Sequence, residues 1–264
     1  FGKNLAGTVP GAPKMTRFHL TLIAALVVGA VLLAFGQIGA VVGVIVAFLV
    51  IAGLGVAFPT VRFFGPFICQ GNRSRRRVAL TFDDGPDAQS TPALLDFLRE
   101  EKLAAAFFGI GKRVTAHPEI AARIVREGHL LENHTYHHSN FTNFFPLSRL
   151  RAELAQTQAA ITQATGIAPR HFRPPMALSN PRIFRAARAA GLSVVGWTAR
   201  GLDTRIPDPE RIVKRITQRL TPGGIILLHD GNIPAERLLM TVKLLLANLR
   251  ERGYEIVRLD QLIE

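Results

Sequence analysis

The chain has 264 residues, 48% of them hydrophobic, and its 32 lysines and arginines against 19 acids give a formal net charge of +13. The arginines are scattered without interleaved aromatic residues, which argues against a nucleic-acid partner and favours contact with acidic lipid or an acidic glycan. The single cysteine, Cys69, excludes an intrachain disulfide and says nothing about the redox compartment.

The first 70 residues differ from the rest. Residues 18–35 are apolar apart from His19, Thr21 and a glycine, and residues 38–58 carry no charge. At about twenty residues per span, these segments predict two transmembrane helices joined by a tight glycine-containing link. A cleaved signal peptide is the alternative for the first segment, but it does not explain the second. We therefore expect residues 1–70 to anchor the chain and residues 71–264 to form a separate domain.

Positive residues flank this predicted hairpin on both sides. They are Lys3, Lys14 and Arg17 before it, and Arg62, Arg73, Arg75, Arg76 and Arg77 after it. With two spans, the positive-inside rule places both ends in the cytoplasm of a bacterial cell, at the inner membrane. With one span, the domain would face outward, and the sequence leaves both orientations open.

Seven apolar runs follow the hairpin, separated by amphipathic segments such as 91–101 and 147–165. The runs are at 78–82, 104–109, 129–132, 170–173, 192–197, 224–229 and 254–259. Regular alternation of strand and helix predicts an α/β fold with a largely parallel sheet.

Residues 81–86, Thr-Phe-Asp-Asp-Gly-Pro, place two adjacent carboxylates where the first run ends. Side chains alternate along a strand, so Asp83 and Asp84 can be splayed into different roles, one binding a metal while the other takes a proton. The alternative is a plain turn, because Asp, Gly and Pro are all favoured in turns.

Residues 133–138 read Asn-His-Thr-Tyr-His-His. His134 and His138 are four apart, so on one helical turn their imidazoles would face the same side and share a divalent ion. With Asp84 they form a set of two histidines and one carboxylate that leaves coordination positions open. Such a set suits Zn²⁺, although Co²⁺ or iron would accept similar ligands. A solvated helix face is the alternative for the histidine pair alone.

Four ordered motifs resemble those of the polysaccharide deacetylases, the NodB-homology class of carbohydrate esterase family 4. Besides the acid pair and the histidines, they include residues 173–177, Arg-Pro-Pro-Met-Ala, where the family usually has Arg-Pro-Pro-Tyr-Gly. The fourth is Leu-Leu-His-Asp at 227–230. The resemblance covers 76–263 and implies a distorted (β/α)7 barrel, which agrees with the seven predicted strands and places the chemistry at their C-terminal ends.

The resemblance implies hydrolysis of N-acetyl groups on sugars and assigns a role to each motif residue. The metal ligands would be Asp84, His134 and His138. Asp83 would act as base, with Arg173 paired to it, and His229 would act as acid. Leu227 would line the pocket for the acetyl methyl, and the backbone amide of Met176 would stabilise the oxyanion.

One motif departs from the family pattern Asp-x-x-Asp-Trp. Aligned on Trp197, the first acid becomes Arg200 and the final aromatic becomes Thr204. Because that first acid orients the catalytic histidine in the family, the partner of His229 is open. We expect Asp203 either to take over this role or to belong to the substrate site with Met176.

These patterns predict a membrane-anchored, metal-dependent N-deacetylase whose substrate is an N-acetylated polysaccharide or oligosaccharide. A deformylase or deacetylase of polyprenyl-linked sugars is the close alternative. A non-catalytic glycan-binding scaffold is a further alternative, which Arg200 and Met176 make conceivable. The complete set of ligands, base and acid favours the enzyme, since a scaffold has no need of it.

Overall fold

A computed structural model of the chain describes residues 15–264. The part of the predicted anchor that precedes Met15, including Lys3 and Lys14, lies outside the described residues.

Two apolar helices open the described chain, α1 (Arg17–Ala34) and α2 (Ile38–Ala57). Their mean hydropathies are 2.1 and 2.8, and only 0% and 6% of these apolar stretches are buried within the protein. Gly36 lies between them with a left-handed φ of 67°, which a glycine adopts without steric cost. The helices predicted over 18–35 and 38–58 are thus present, and both are long enough to cross a membrane.

The open end of this helical hairpin packs on the chain that leads into the sheet. The amide of Phe18 donates to the carbonyl of Phe63 at 3.0 Å, and the rings of Phe18 and Phe64 lie 5.3 Å apart. A Cβ on Gly55 would lie 2.4 Å from the Phe63 ring, so only glycine permits this approach. We call these contacts the foot of the hairpin, and they join it to the domain by packing.

Nine strands form one sheet within residues 15–264, and every pair of neighbouring strands is parallel. The strands are β1 (Phe67–Ile68), β2 (Arg77–Asp83), β3 (Ala106–Gly109), β4 (Leu130–Asn133), β5 (His171–Phe172), β6 (Ser193–Val195), β7 (Ala199–Arg200), β8 (Gly224–His229) and β9 (Glu255–Ile256). Their order is β1-β6-β5-β4-β3-β2-β8-β7, with β9 on β2. All seven predicted strands are present, and the two-residue strands β1 and β7 are additional to the prediction.

The segment after β1 draws the two ends of the curled sheet together. Gln70 forms an antiparallel bridge with Gly224 at the start of β8, and the amide of Gly71 donates to the carbonyl of Gly223 at 2.8 Å. The hydroxyl of Thr198 donates to the carbonyl of Cys69 at 2.6 Å. The result is the predicted distorted barrel, and its sheet begins ahead of the predicted domain boundary at 71.

Helices cover the outside of the sheet. They are α3 (Ser90–Glu100), α4 (Gly111–Ala116), α5 (Pro118–Arg126), α6 (Leu147–Thr165), α7 (Pro181–Ala189), α8 (Pro209–Thr217), α9 (Ala235–Glu251) and α10 (Leu259–Ile263). The side chains of Asn180 and Asp208 cap α7 and α8 by accepting hydrogen bonds from first-turn amides. The amphipathic segments predicted at 91–101 and 147–165 are α3 and α6.

Strand β2 runs through the centre of the core and is buried on both faces. Val78, Leu80 and Phe82 pack into the largest hydrophobic cluster, and Ala79 packs into a second one on the other face. The ring of Phe82 stacks on Phe107 of β3 at a centroid distance of 5.3 Å. A one-residue slip would exchange these faces, so the packing fixes where β2 ends and its carboxylates begin.

Replacing the fully buried Phe107 by alanine should destabilise the protein by about 3–5 kcal/mol, because the ring leaves a cavity beside Phe82. The matched control, Phe141→Ala, removes a ring that is 69% exposed and should change stability by less than about 0.5 kcal/mol. Denaturant unfolding of the full chain in detergent, followed by near-ultraviolet circular dichroism, measures both. Equal losses in the two variants would contradict this description of the core.

Candidate metal and acid–base site

The acid pair stands where β2 leaves the sheet. Asp83 is the last β2 residue and lies beside Phe108 of β3 and His229 of β8 in the sheet register. Asp84 follows with a left-handed φ of 74°, so the chain turns sharply between the two carboxylates. The expected splaying of the pair is therefore present, produced by this turn as well as by strand alternation.

Asp84 meets the two predicted histidine ligands. Its Oδ1 lies 3.4 Å from His134 Nε2 and 3.3 Å from His138 Nε2, and the three candidate ligand atoms lie within 4.8 Å of one another. This Oδ1 is buried and, among the described residues, has no hydrogen-bond donor. A buried oxygen without a donor, facing two imidazole nitrogens, is the environment that a divalent cation satisfies. The residues present therefore fit a metal.

The two histidines do not lie on a helix, so the predicted helical turn is wrong. They belong to an irregular segment that follows β4. Thr135 and His138 both adopt left-handed backbone conformations, with φ of 64° and 51°, and these bring the second imidazole back toward the first. Spacing alone does not reveal such a turn, since the same separation occurs on a helix.

A buried carboxylate that sequence reasoning missed supports this histidine segment from below. Glu153 of α6 accepts hydrogen bonds from the amides of Tyr136 and His137 at 3.0 and 2.9 Å. Its other oxygen lies 2.9 Å from His137 Nδ1. The sequence feature that could have identified Glu153 is its place among the apolar positions of an amphipathic helix. A buried charge there needs several hydrogen-bond partners.

A backbone carbonyl fixes the orientation of the His134 imidazole. Its Nδ1 lies 2.6 Å from the carbonyl of Arg173, so this nitrogen carries the proton that the carbonyl accepts. The free lone pair is then on Nε2, which faces Asp84. Metal-binding histidines commonly have a partner of this kind for their second nitrogen.

The pKa shifts of Asp84 and His138 suit metal binding, whereas that of His134 opposes it. Burial opposes ionisation of Asp84, but the contact with His134 and the charges of the neighbouring histidines outweigh it, so its pKa lies below the usual range. Burial, reinforced by His134, lowers the pKa of His138 to about 4. Burial also opposes protonation of His134, but Asp83 and Asp84 outweigh it and raise its pKa. An ionised Asp84 and a neutral His138 are the forms that bind a metal.

Arg173 forms a buried ion pair with Asp83, as predicted from the motif. Its Nη1 donates to Asp83 Oδ1 at 2.6 Å and to the hydroxyl of Thr81 at 2.9 Å. Its Nη2 donates to the carbonyl of Gly196 at 2.9 Å, and its guanidinium lies 4.0 Å from the Phe108 ring centroid. The second oxygen of Asp83, Oδ2, lies 3.7 Å from His134 Nε2 and so borders the metal cluster.

His229 at the end of β8 is held by Asp203. One Asp203 oxygen lies 2.9 Å from His229 Nδ1, and the other accepts from the His229 amide at 2.7 Å. Burial would lower the pKa of His229, but the hydrogen bond and charge of Asp203 outweigh it and raise the value to about 9.

Both Asp203 oxygens are thus engaged by His229, and Asp203 is buried. Asp203 therefore lies on the Nδ1 side of the histidine, as expected if it takes over the orienting role. Arg200, which occupies the position of the family acid, is exposed, with its guanidinium 5.5 Å from the Trp197 ring centroid.

The two remaining predicted site residues lie on neighbouring strand ends. Leu227 is buried on β8 two positions before His229, so both side chains share one face of the strand. Met176 lies in the turn after β5 with a φ of 57°, and its side chain is half exposed. The chain therefore brings all nine predicted site residues to one end of the sheet or to the strands that border it.

Asp230 is a second carboxylate that sequence reasoning left without a role. It is fully buried, accepts from the amide of Gly85 at 3.1 Å and from the hydroxyl of Thr91 at 2.6 Å, and its carbonyl accepts from Ser90. Burial raises its pKa to about 7. Through Gly85 it fixes the turn that carries Asp84.

Comparison with known proteins agrees with this geometry. Residues 70–195 match the family model described as polysaccharide deacetylase. The chain is 36% identical to a chitooligosaccharide deacetylase from Bradyrhizobium sp. (strain ANU 289). The matched region covers 71% of this chain and 90% of that relative. The residues matched by the family model include the acid pair, the histidine segment and Arg173.

Solved structures share the fold. A peptidoglycan N-acetylglucosamine deacetylase in complex with 4-naphthalen-1-yl-N-oxidanyl-benzamide is 28% identical, with a TM-score of 0.70 over 75% of this chain and 92% of that chain. A mutant of a carbohydrate esterase family 4 pseudoenzyme with restored enzymatic activity is 26% identical, with a TM-score of 0.70. The match covers 75% of this chain and 71% of that chain. The chain belongs to the polysaccharide deacetylase family, the family 4 carbohydrate esterases with the NodB-homology fold, and is a hydrolase of the carbohydrate N-deacetylase class.

Proposed function

We propose that this protein is a metal-dependent hydrolase that removes N-acetyl groups from N-acetylated glycans. The observation that carries the proposal is the buried, donor-free Oδ1 of Asp84, which lies 3.3–3.4 Å from two histidine nitrogens. A charge-paired carboxylate and a carboxylate-held histidine flank it, which is the set that amide hydrolysis requires. Relatives named for chitooligosaccharide and for peptidoglycan N-acetylglucosamine support a glycan substrate.

Asp84, His134 and His138 would hold the metal, and Zn²⁺ suits this donor set best, with Co²⁺ as an alternative. When bound, such an ion lowers the pKa of a water molecule and polarises the substrate carbonyl. The second nitrogen of His134 is already satisfied by the Arg173 carbonyl, which orients that ligand before any ion arrives.

The chain's own groups would move the protons. Asp83 has one oxygen held by Arg173 and the other beside the metal cluster, where it would accept the proton of the attacking water. His229 has Nδ1 engaged by Asp203, so Nε2 is its free nitrogen and would donate to the departing amine. A pKa of about 9 keeps this imidazole protonated at neutral pH.

Substrate contacts follow from the same motifs. The Met176 amide, in the left-handed turn after β5, would donate to the oxyanion, and this function does not depend on the side chain being tyrosine. Leu227 would line the pocket for the acetyl methyl. With Met176 and Thr204 in place of the family's aromatic residues, the sugar subsites of this protein would differ from those of its relatives.

Residues 71–264 would form the catalytic domain, and residues 1–70 would anchor it in a bacterial inner membrane through α1 and α2. A second candidate substrate is a polyprenyl-linked sugar, acted on by deacetylation or deformylation. The packed foot of the hairpin favours it, because a domain held by contacts such as Phe18 on Phe63 stays close to the bilayer. The scaffold alternative is disfavoured, because ligands, base and acid are all assembled.

The full chain in detergent should release acetate from N-acetylglucosamine oligomers, lose this activity with a chelator and regain it with zinc or cobalt. Asp83→Asn should lower turnover by about 10²–10⁴-fold while the protein still binds metal, since it removes the base and not a ligand. Asp96→Asn, an exposed acid of α3, is the control. A wild-type protein that binds no metal, or binds it and releases no acetate from any glycan, would overturn the proposal.

Turnover should fall as the pH rises through the pKa of His229, near 9 in the absence of metal, because the imidazolium is the acid and is lost above that pH. Asp203→Asn removes the carboxylate that raises this pKa, so the basic limb should move to lower pH. A bound cation lowers the pKa of His229 in the wild type and in the variant alike. The difference between their basic limbs therefore still reports the effect of Asp203. An unmoved basic limb in pH–rate profiles would argue against His229 as the acid.

Glu153→Gln should weaken metal affinity by about 10–100-fold. The carboxylate uses one oxygen for two backbone amides and the other for His137 Nδ1, and the variant has a single side-chain oxygen for both tasks. His137 lies in the segment between the two histidine ligands, so their positions should become less fixed. Glu119→Gln, on the exposed side of α5, is the matched control. Competition against a chromophoric chelator measures affinity directly and needs no substrate. Unchanged affinity in Glu153→Gln would show that the histidine segment keeps its shape without this carboxylate.

A further inference from the structure

Two aromatic rings face solvent immediately beyond the candidate metal site. Phe141 and Phe144 are 69% and 74% exposed, on the segment 139–146 that joins His138 to α6, whereas Phe145 beside them is buried. The segment is tied down, because Asn180 Nδ2 donates to both the carbonyl and the side-chain oxygen of Asn143 at 2.6 and 2.9 Å. Exposed aromatic rings held on an ordered loop commonly mark a contact surface.

The surface around these rings is positively charged. Residues 139–151 and 181–189 contain no acid and five arginines, Arg149, Arg151, Arg182, Arg185 and Arg188. On α7 the arginines recur at every third position and all are exposed, so they form one stripe. No acid precedes Asp83 anywhere in the chain, so the foot of the hairpin adds no negative charge.

This surface adjoins the foot of the hairpin. A Cβ on Gly65, the residue after Phe64, would lie 2.4 Å from the Phe184 ring of α7. Phe184 is four positions from Asn180, a rise of about 6 Å along the helix, and Asn180 holds the aromatic loop. Asn180, which holds the loop that carries the exposed rings, therefore lies about one helical turn from the point where the hairpin foot contacts α7.

We propose that Phe141, Phe144 and the arginine stripe of α7 form a docking surface for an acidic lipid bilayer. This inference rests on the proposed membrane role of α1 and α2. Aromatic rings partition into the headgroup region, and arginines at its edge pair with acidic headgroups. Continuity with the hairpin foot and the absence of carboxylates both favour lipid.

A glycan is the less suitable occupant of this surface. A sugar stacked on a ring also needs polar groups that bind its hydroxyls, and both oxygens of Asn143 beside Phe144, the carbonyl and Oδ1, already accept from Asn180. The ionic side chains of residues 139–151 and 181–189 are all arginines.

Docking would set the position of the active site. Phe141 lies three residues after His138, so insertion of its ring would bring the mouth of the metal site to the bilayer surface. The substrate class that fits this placement is an N-acetylated sugar presented at the membrane, such as one carried on a lipid.

The test uses the full chain in nanodiscs with brominated acyl chains and compares Phe144→Trp with Met240→Trp. Met240 is 50% exposed on α9, where Glu236, Arg237 and Lys243 are its charged neighbours along the helix, and Trp197 provides the same background in both variants. After correction for Trp197, we expect the fluorescence of Phe144→Trp to be quenched on the order of twofold more than that of Met240→Trp, because the introduced indole lies in the interface. Equal quenching would overturn the proposal.

Two further arms separate the alternatives. Quenching of Phe144→Trp should rise when phosphatidylglycerol is added to phosphatidylcholine and fall again with Arg185→Glu, as charge pairing requires. A change in its fluorescence with soluble N-acetylglucosamine oligomers, without lipid quenching, would assign the rings to glycan binding and overturn the proposal.

The proposed function is tested separately. The double variant Phe141→Ser, Phe144→Ser should retain turnover of soluble oligomers in detergent and lose turnover of a bilayer-embedded glycolipid. Equal rates on the glycolipid for wild type and variant would contradict the docking surface while leaving the deacetylase proposal intact. Failure of wild type on both substrates would instead contradict the proposed function.

Discussion

The buried ion pair between Arg173 and Asp83 is the interaction on which the site depends. Arg173 is fully buried, and its guanidinium is bonded to Asp83, Thr81 and Gly196, so it connects the end of β2 with the segment after β6. Its carbonyl also orients His134. Removing one charge of such a pair leaves the other unpaired in the core, a loss of about 3–5 kcal/mol. The pair therefore serves both the position of the proposed base, Asp83, and the stability of the barrel.

Carboxylates hold histidines in the same way at three places. Asp203 with His229, Glu153 with His137 and Glu132 with His171 each use one oxygen for the histidine amide and the other for its Nδ1. Each pair thereby fixes a segment near the C-terminal end of a strand. Only the first lies beside the acid pair, so a histidine–carboxylate bond does not by itself indicate catalysis. The proposed catalytic role of His229 depends instead on its position at the end of β8, beside Asp83 in the sheet register.

The parts of the structure that depend on local pattern were predictable. Long apolar runs identified the hairpin and seven strands, and the ordered motifs placed Asp83, Asp84 and Arg173 at strand ends. The conformation between His134 and His138 was not predictable, because two left-handed residues replace the helical turn that the same spacing allows. The bond from Asp203 to His229 depends on the pairing of β7 with β8 and is non-local. Residue spacing from Trp197 therefore could not reveal it.

The helical hairpin and the barrel share a segment of chain, and this constrains both. Phe63 and Phe64 pack on Phe18 at the hairpin foot, a few residues later Phe67 enters the sheet, and Gln70 then bridges to β8. Moving the hairpin would therefore disturb the strand that closes the barrel. A division at residue 71 follows the change in composition, but the packing is continuous across it. The distance between the helical hairpin and the candidate site is thus a property of the fold itself, because packed residues and not a free linker determine it.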